Sequence, residues 1–323
     1  ITVKVGGGGR GRYNQPSFMR GTGGGGGHVS GNLTVTAGQT VYIGVGVDNQ
    51  TPNSTAVLKG PGNPWPTSNP MSNNHPGTGI YAYFPDSIDT GGWGQRVTGH
   101  GHFGGGGSMS YVSVGPAEID WENTGNTFGV TSGSTPQVAG ASPPYSPGGQ
   151  RMNYTPISPQ IAFVAGGGGC ANGSQPLGTP TRNGGAGGGL TGEAAGGGEQ
   201  TSHGPNGGGG GDQEQAGTKH PSASGPDGFE PERFLHTDQA GAGMGFFAGG
   251  GGGGQMGHHG AWAGGGGSSY FGHPQVASGA TTAGSGTSVA DSGDPEYQPG
   301  VGNGVNYWNT SQGGYVFITA TGF

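Results

Sequence analysis

Ile1, Val3 and Val5 alternate with Thr2 and Lys4, the period of a strand with one buried face, and the run Gly6 to Gly9 follows at once. The relation recurs. After Gly23 to Gly27, the stretch Asn32-Leu33-Thr34-Val35-Thr36, the turn Ala37-Gly38 and the stretch Gln39 to Val47 read as a hairpin. On its second arm Val41, Ile43, Val45 and Val47 share one face, while Tyr42, Gly44 and Gly46 share the other, which is therefore nearly bare and open to a close neighbour. Further strands are predicted at Ser110 to Val114, behind Gly104 to Gly107, and at Ile161 to Val164, ahead of Gly166 to Gly169. Tyr315 to Ala320 closes the chain with the same strand character. The first and last strands are expected to pair in one sheet, and Ile1 to Val5 is a candidate for addition to a neighbouring copy's sheet. Apolar residues never persist at helical spacing, so essentially no α-helix is predicted.

Between these pieces lie segments rich in Pro, Asn, Ser and Thr, at about 48–98, 116–160 and 274–312, which read as loop insertions in a single glycine-rich domain spanning 1–323. They carry many of the aromatic residues, including Trp65, Tyr81, Tyr83, Trp93, Trp121 and Tyr145. Such residues either pin a loop to its scaffold or grip a partner, and these six are the candidate binding residues.

Composition sharpens the picture. The chain holds 85 glycines and 24 prolines in 323 residues, and only 28% of its residues are hydrophobic, too few for a core of ordinary proportions. Disorder is the first inference from such figures, yet only 8% of residues are charged and the net charge is -7, so little repulsion opposes collapse. The few lysines and arginines form no basic stripe, which argues against nucleic acid as a partner, and no stretch is long and apolar enough to span a membrane. Cys170 is the only cysteine, so no intrachain disulfide is possible. The strand-like start without methionine reads as a processed end.

The glycines stand in solid blocks, with Gly207 to Gly211, Gly249 to Gly254 and Gly264 to Gly267 adding to those above. A block has no side chain to bury, so its order must come from backbone N–H and C=O groups. Collagen needs glycine at every third place, and a sheet of pure glycine has nothing to set its register. The remaining solution is the extended left-handed helix of the polyproline II type, three residues per turn, which bonds only to neighbouring rods and packs closely only where no Cβ intervenes. The predicted fold is therefore mostly non-regular: a bundle of polyglycine II helices with flanking β-strands, hairpins and long loops. Gly6, Gly25, Gly105, Gly167, Gly209, Gly251 and Gly265 are its expected structural glycines.

Four passages, ITVKVGGGG from Ile1, the stretch Gly23 to Val47 with its hairpin, IAFVAGGGG from Ile161, and GGGGSSY from Gly264 with the closing GGYVFITATGF, resemble the glycine-rich domain family. That family occurs at the tips of some phage tail fibres and in the extracellular part of anaplastic lymphoma kinase receptors. The resemblance implies packed polyglycine II helices, no catalytic centre, and a role in adhesion, receptor recognition or assembly.

Candidate chemistry is sparse. His100, His102, His203, His220, His236, His258 and His259 invite a metal reading, but no thiolate or carboxylate cluster accompanies them, and no metal or cofactor is assigned. The acidic stretch from Glu193 to Asp238 matches no calcium loop, and no nucleophile elbow, zinc-protease helix or phosphate loop is present. Two functions remain open. One is a non-enzymatic extracellular structural subunit of a filament, sheath or appendage that associates with itself. The other is a receptor- or glycan-binding adhesin with aromatic loops on a rigid core.

Overall fold

The computed structural model describes residues 1–9, 21–46, 107, 109–115, 160–171, 183–196, 208–213, 217, 243, 245–247, 249, 252, 263–304 and 312–320, with the backbone alone at 79–81, 94–97, 101–102, 130–132 and 154–156. Among them are strands and loops and no helix. The strands are β1 (Thr2–Gly6), β2 (His28–Leu33), β3 (Tyr42–Gly44), β4 (Gly79–Tyr81), β5 (Gly94–Val97), β6 (Gly101–His102), β7 (Ser110–Ser113), β8 (Val130–Ser132), β9 (Tyr154–Pro156), β10 (Ile161–Ala165), β11 (Val276–Thr282) and β12 (Tyr315–Thr319).

Two sheets face each other. One has the order β11-β2-β1-β12 and the other β10-β7-β3, all antiparallel. Alternation in the sequence decides the inner faces: Val3 and Val5 are fully buried while Thr2 and Lys4 are only partly covered. Val3, Val5, Val29 and Leu33 of the first sheet meet Val112, Val114, Ala162, Phe163 and Ala165 of the second side, with Ile1, Val276, Val316 and Ile318 closing the rim. Each large core side chain contributes about 1.5–3 kcal/mol by leaving water. Among the described residues this small core carries much of the aliphatic stabilisation. The remaining strands form the sheets β4-β5-β6 and β8-β9.

The chain ends pair as expected, with Thr2 opposite Thr319 and Gly6 opposite Tyr315. β1 lies between β2 and β12, so both its edges are used within the chain and it is not available to a neighbouring copy, contrary to the expectation from sequence.

The predicted hairpin is only half present. Its turn forms, with Gly38 at φ 84 and the amide of Gln39 donating to the Thr36 carbonyl at 3.0 Å. Its arms then part into different sheets, because β2 is taken by β1 and β11 while β3 pairs with β7. On the second arm the bare face takes the close neighbour expected of it. Ile43 and Val45 are 49% and 45% exposed, whereas Gly44 and Gly46 are buried. The bare face turns inward because the ring of Tyr111 occupies the space beside Gly44, and the amide of Gly46 donates to Ser110 Oγ at 3.0 Å.

The segments read as insertions contain strands: β4 and β5 in the first, β8 and β9 in the second, β11 in the third. β11 escapes a pattern search because its residues, VASGATT, are small and do not alternate in hydrophobicity. It also shifts register between Ala277 and Ala280, where Ser278 takes a φ of 54°.

Candidate functional site in the glycine array and its charged seam

The glycine runs 6–9 and 166–169 continue β1 and β10, the run 23–27 leads into β2, and all of them join 184–189, 208–211 and 264–267 in a region outside the strands. Its backbone bonds nevertheless follow a rule. Gly24 and Gly27 donate to Gly169 and Gly166, at 3.0 and 2.8 Å, so two amides three residues apart reach one neighbouring run. The two amides between them point elsewhere, Gly25 to Gly286 and Gly26 to Gly302, at 2.8 and 2.7 Å. Gly185 and Gly188 donate to Gly264 and Gly267, whose own amides reach Cys170 and Gly167. Gly192 and Ala195 donate to Gly211 and Gly208, and those two donate onward to Gly266 and Ala263. Partners ascend together in some pairs of runs and oppose in others, so parallel and antiparallel neighbours coexist.

Burial repeats with the same period at the margin. Gly208 and Gly211 are buried while the two residues after each are partly exposed, and Gly192 and Ala195 are buried between exposed neighbours. Side chains are accepted on the outward positions, as at Thr191, Glu193 and Ala194. Glu193 folds back so that its carboxylate accepts the amide of Ala186 at 3.0 Å. Among the buried positions Ala186 and Ala195 keep a methyl group, but several glycines leave no room for one. A Cβ on Gly168 would land on the Gly24 carbonyl, one on Gly169 on the Gly264 carbonyl, and one on Gly266 on the Ala186 carbonyl, all closer than 3.0 Å.

Among the glycines expected from sequence, Gly25 and Gly265 are hemmed in by the carbonyls of Ser288 and Gly209, Gly6 by the ring of Tyr315, and Gly167 accepts the amide of Gly267. Gly105 and Gly251 lie outside the described residues. The run at 184–189 was not recognised as a block, because Ala186 interrupts it and Asn183 precedes it. Its spacing to the next glycines was the available signal.

Of the aromatic candidates, Trp65, Tyr83, Trp93, Trp121 and Tyr145 lie outside the described residues, and Tyr81 is the last residue of β4. The histidines considered for a metal also lie outside them, except His102, which ends β6. Among the described residues no three of His, Cys, Asp or Glu are placed to hold a metal, and Cys170 is buried.

A polar cluster missed from sequence sits where the array meets the first sheet. The strap of residues 283–304 crosses there, bonded to the array through Gly284 to Gly187, Gly25 to Gly286 and Ala290 to Gly26. Lys4 Nζ of β1 holds Asp294 Oδ2 and Glu296 Oε2 of the strap, each at 2.6 Å. These hydrogen bonds push the lysine pKa up, and the contacts of Asp294 with Glu296 and Lys4 hold its carboxyl well below the usual range. Asp291, in the left-handed region at φ 64, is pushed the other way, first by burial and then by the charge of Asp294.

His28, at the start of β2, has a side chain only 5% exposed, and its Nε2 lies 3.4 Å from Asp291 Oδ2. No hydrogen bond forms between them. Burial outweighs the attraction of the carboxylates and brings the imidazole pKa down to about 4, so His28 is neutral at pH 7. Its ring stacks on Tyr315 of β12 with centroids 6.3 Å apart. Tyr297 of the strap meets Tyr315 edge-on and hydrogen-bonds the carbonyl of Val301 at 2.9 Å.

These groups hold a seam together. Compared with protein-family models, curated proteins and solved structures, the chain matches none.

Proposed function

We propose that this chain is a non-enzymatic extracellular structural protein, a subunit of a filament, sheath or appendage, whose rigid body is a bundle of polyglycine II helices. One observation carries the reading: amides three residues apart along a glycine run donate to the same neighbour, and those between donate to others. A helix with three residues per turn aims its donors in that way, and neither a pleated strand nor a wandering loop does. Carbonyls lying where inward Cβ atoms would fall give the same account, since rods pack this closely only when bare.

A scaffold cemented by main-chain bonds has few side chains free for chemistry, and this one has few charges to keep copies apart. Such a body suits a load-bearing subunit that associates with itself. The extracellular placement rests on the resemblance to the glycine-rich domain family.

Electron microscopy of the purified native material tests the function. Regular polymers are the expected result. Discrete particles that decorate cells, and lose binding when Trp65 or Tyr83 is changed to alanine, make the chain an adhesin instead. The helix type is tested separately by backbone dihedral angles from NMR. Values near φ −75° and ψ +145° are expected for the runs 23–27, 184–189 and 264–267.

A further inference from the structure

The seam joins β1, β2, β12 and the strap, which lie far apart in sequence, and in it His28 Nε2 and Tyr315 Oη are both buried without a hydrogen bond. Asp291 of the strap lies 3.4 Å from His28 and Tyr315 of β12 stacks on it, while Asp294 and Lys4 act on it through their charges. Glu296 is held by the same Lys4, and Tyr297 meets Tyr315 edge-on. Thr282 of β11, opposite His28 in the ladder, does not titrate. Three carboxylates thus share one ammonium, and a neutral imidazole closes the cluster from the sheet side.

We propose that the seam is an acid-sensitive latch, in which gain of a proton by His28 releases the strap of residues 283–304 from the first sheet and from the glycine run at 23–27. The imidazole is sealed from water, and no carboxylate is aligned to accept its proton in a hydrogen bond. A charged ring in that position lacks the hydration it would have in solution, and lifting the strap restores it. The bonds that must part are Ala290 to Gly26, Gly25 to Gly286, Gly26 to Gly302 and Gly284 to Gly187, with the contacts of Lys4 to Asp294 and Glu296. These backbone bonds tie the strap to the runs 23–27 and 184–189. Opening there therefore frees one face of the bundle without unpacking the valine core. The latch depends on the seam alone and stands whether or not the rods are polyglycine II helices or the chain polymerises.

The sign follows from linkage. A folded-state pKa below the unfolded one gives stability that is complete above the unfolded value, about 6.5, and is lost as the pH falls toward the folded value. Asp291, shifted the other way, acts with the opposite sign, so the histidine must be isolated by a variant.

Amide hydrogen exchange of the whole chain, followed between pH 7 and 4.5 and corrected for intrinsic rates, makes the test. In the wild type, protection at Gly284 and Ala290 is expected to fall about tenfold per pH unit below about 6.5. His28→Gln, which cannot take up the proton, is expected to remove that slope. Parallel loss of protection in the two proteins overturns the latch. Should the variant fail to fold, the His28 ring resonance of the wild type decides: a midpoint well below 6.5 is required, and one at or above it overturns the proposal.

Discussion

The ring of Tyr111 fills the space that a Cβ on Gly44 would need. Both residues are buried, and the pair explains why the bare face of β3 turns inward and its valine and isoleucine face turns out. Gly44→Ala is expected to destabilise the fold by about 1–3 kcal/mol through overpacking. Gly293→Ala, where nothing lies within 4 Å, should stay within about 0.5 kcal/mol of wild type. Paired thermal melts check the difference, and equal melting temperatures would remove the account of β3.

In the margin of the array, Gly192 faces the Gly266 carbonyl while Ala194 is exposed. Gly192→Ala should therefore cost about 2–3 kcal/mol and Ala194→Ser almost nothing. Denaturant unfolding of the two variants reads this directly. If the exposed position proves the more sensitive, the threefold facing of that run is wrong.

Alkali should unfold the chain in a defined order. Tyr111 and Tyr315 have phenol pKa values raised by burial, so their contribution to stability is complete below about pH 10 and declines as the pH rises beyond it. Lys4 acts with the same sign above its ordinary value of 10.5. Of the eleven tyrosines, at least these two are expected to ionise only together with loss of the β-sheet circular dichroism signal. Tyrosinate absorbance that completes before that signal changes would contradict the burial.

Removing the cation from the seam leaves Asp294 and Glu296 facing each other. Lys4→Met is expected to lower stability by about 1–3 kcal/mol, between the values for exposed and for buried pairs, since the three side chains are 20%, 14% and 35% exposed. In a double-mutant cycle with Asp294→Asn, the second change should cost much less in the Lys4→Met background. Strict additivity would show that the pair is not coupled.

The strands β1, β7, β10 and β12 were legible in the sequence, as was the pairing of the two chain ends. In β1 alternation reports which face is buried, whereas β7 and β10 are buried on both faces and are marked by their β-branched and aromatic residues. β11 was not legible, because its inner face is made by Gly279, which shelters the ring of Phe271 and offers no apolar side chain of its own. The bare face of β3 was legible for a related reason: an absent side chain leaves room for a close neighbour, and the ring of Tyr111 fills it beside Gly44. The seam was invisible because Lys4 and Asp294 are 290 residues apart. Only the turn DSGDPE, with acidic residues among Ser, Gly and Pro, hinted that its carboxylates were held in place.

Where amides three residues apart return to one neighbour, as in 23–27 and 184–189, the run has a phase, like a reading frame. In the proposed polyglycine II geometry, deleting one residue from 184–189 would swing every later amide of the run by a third of a revolution, away from its acceptor and toward another run. Such runs should accept changes of length only in multiples of three. A chain of this kind is then free to vary in its loops while its rods stay locked in step.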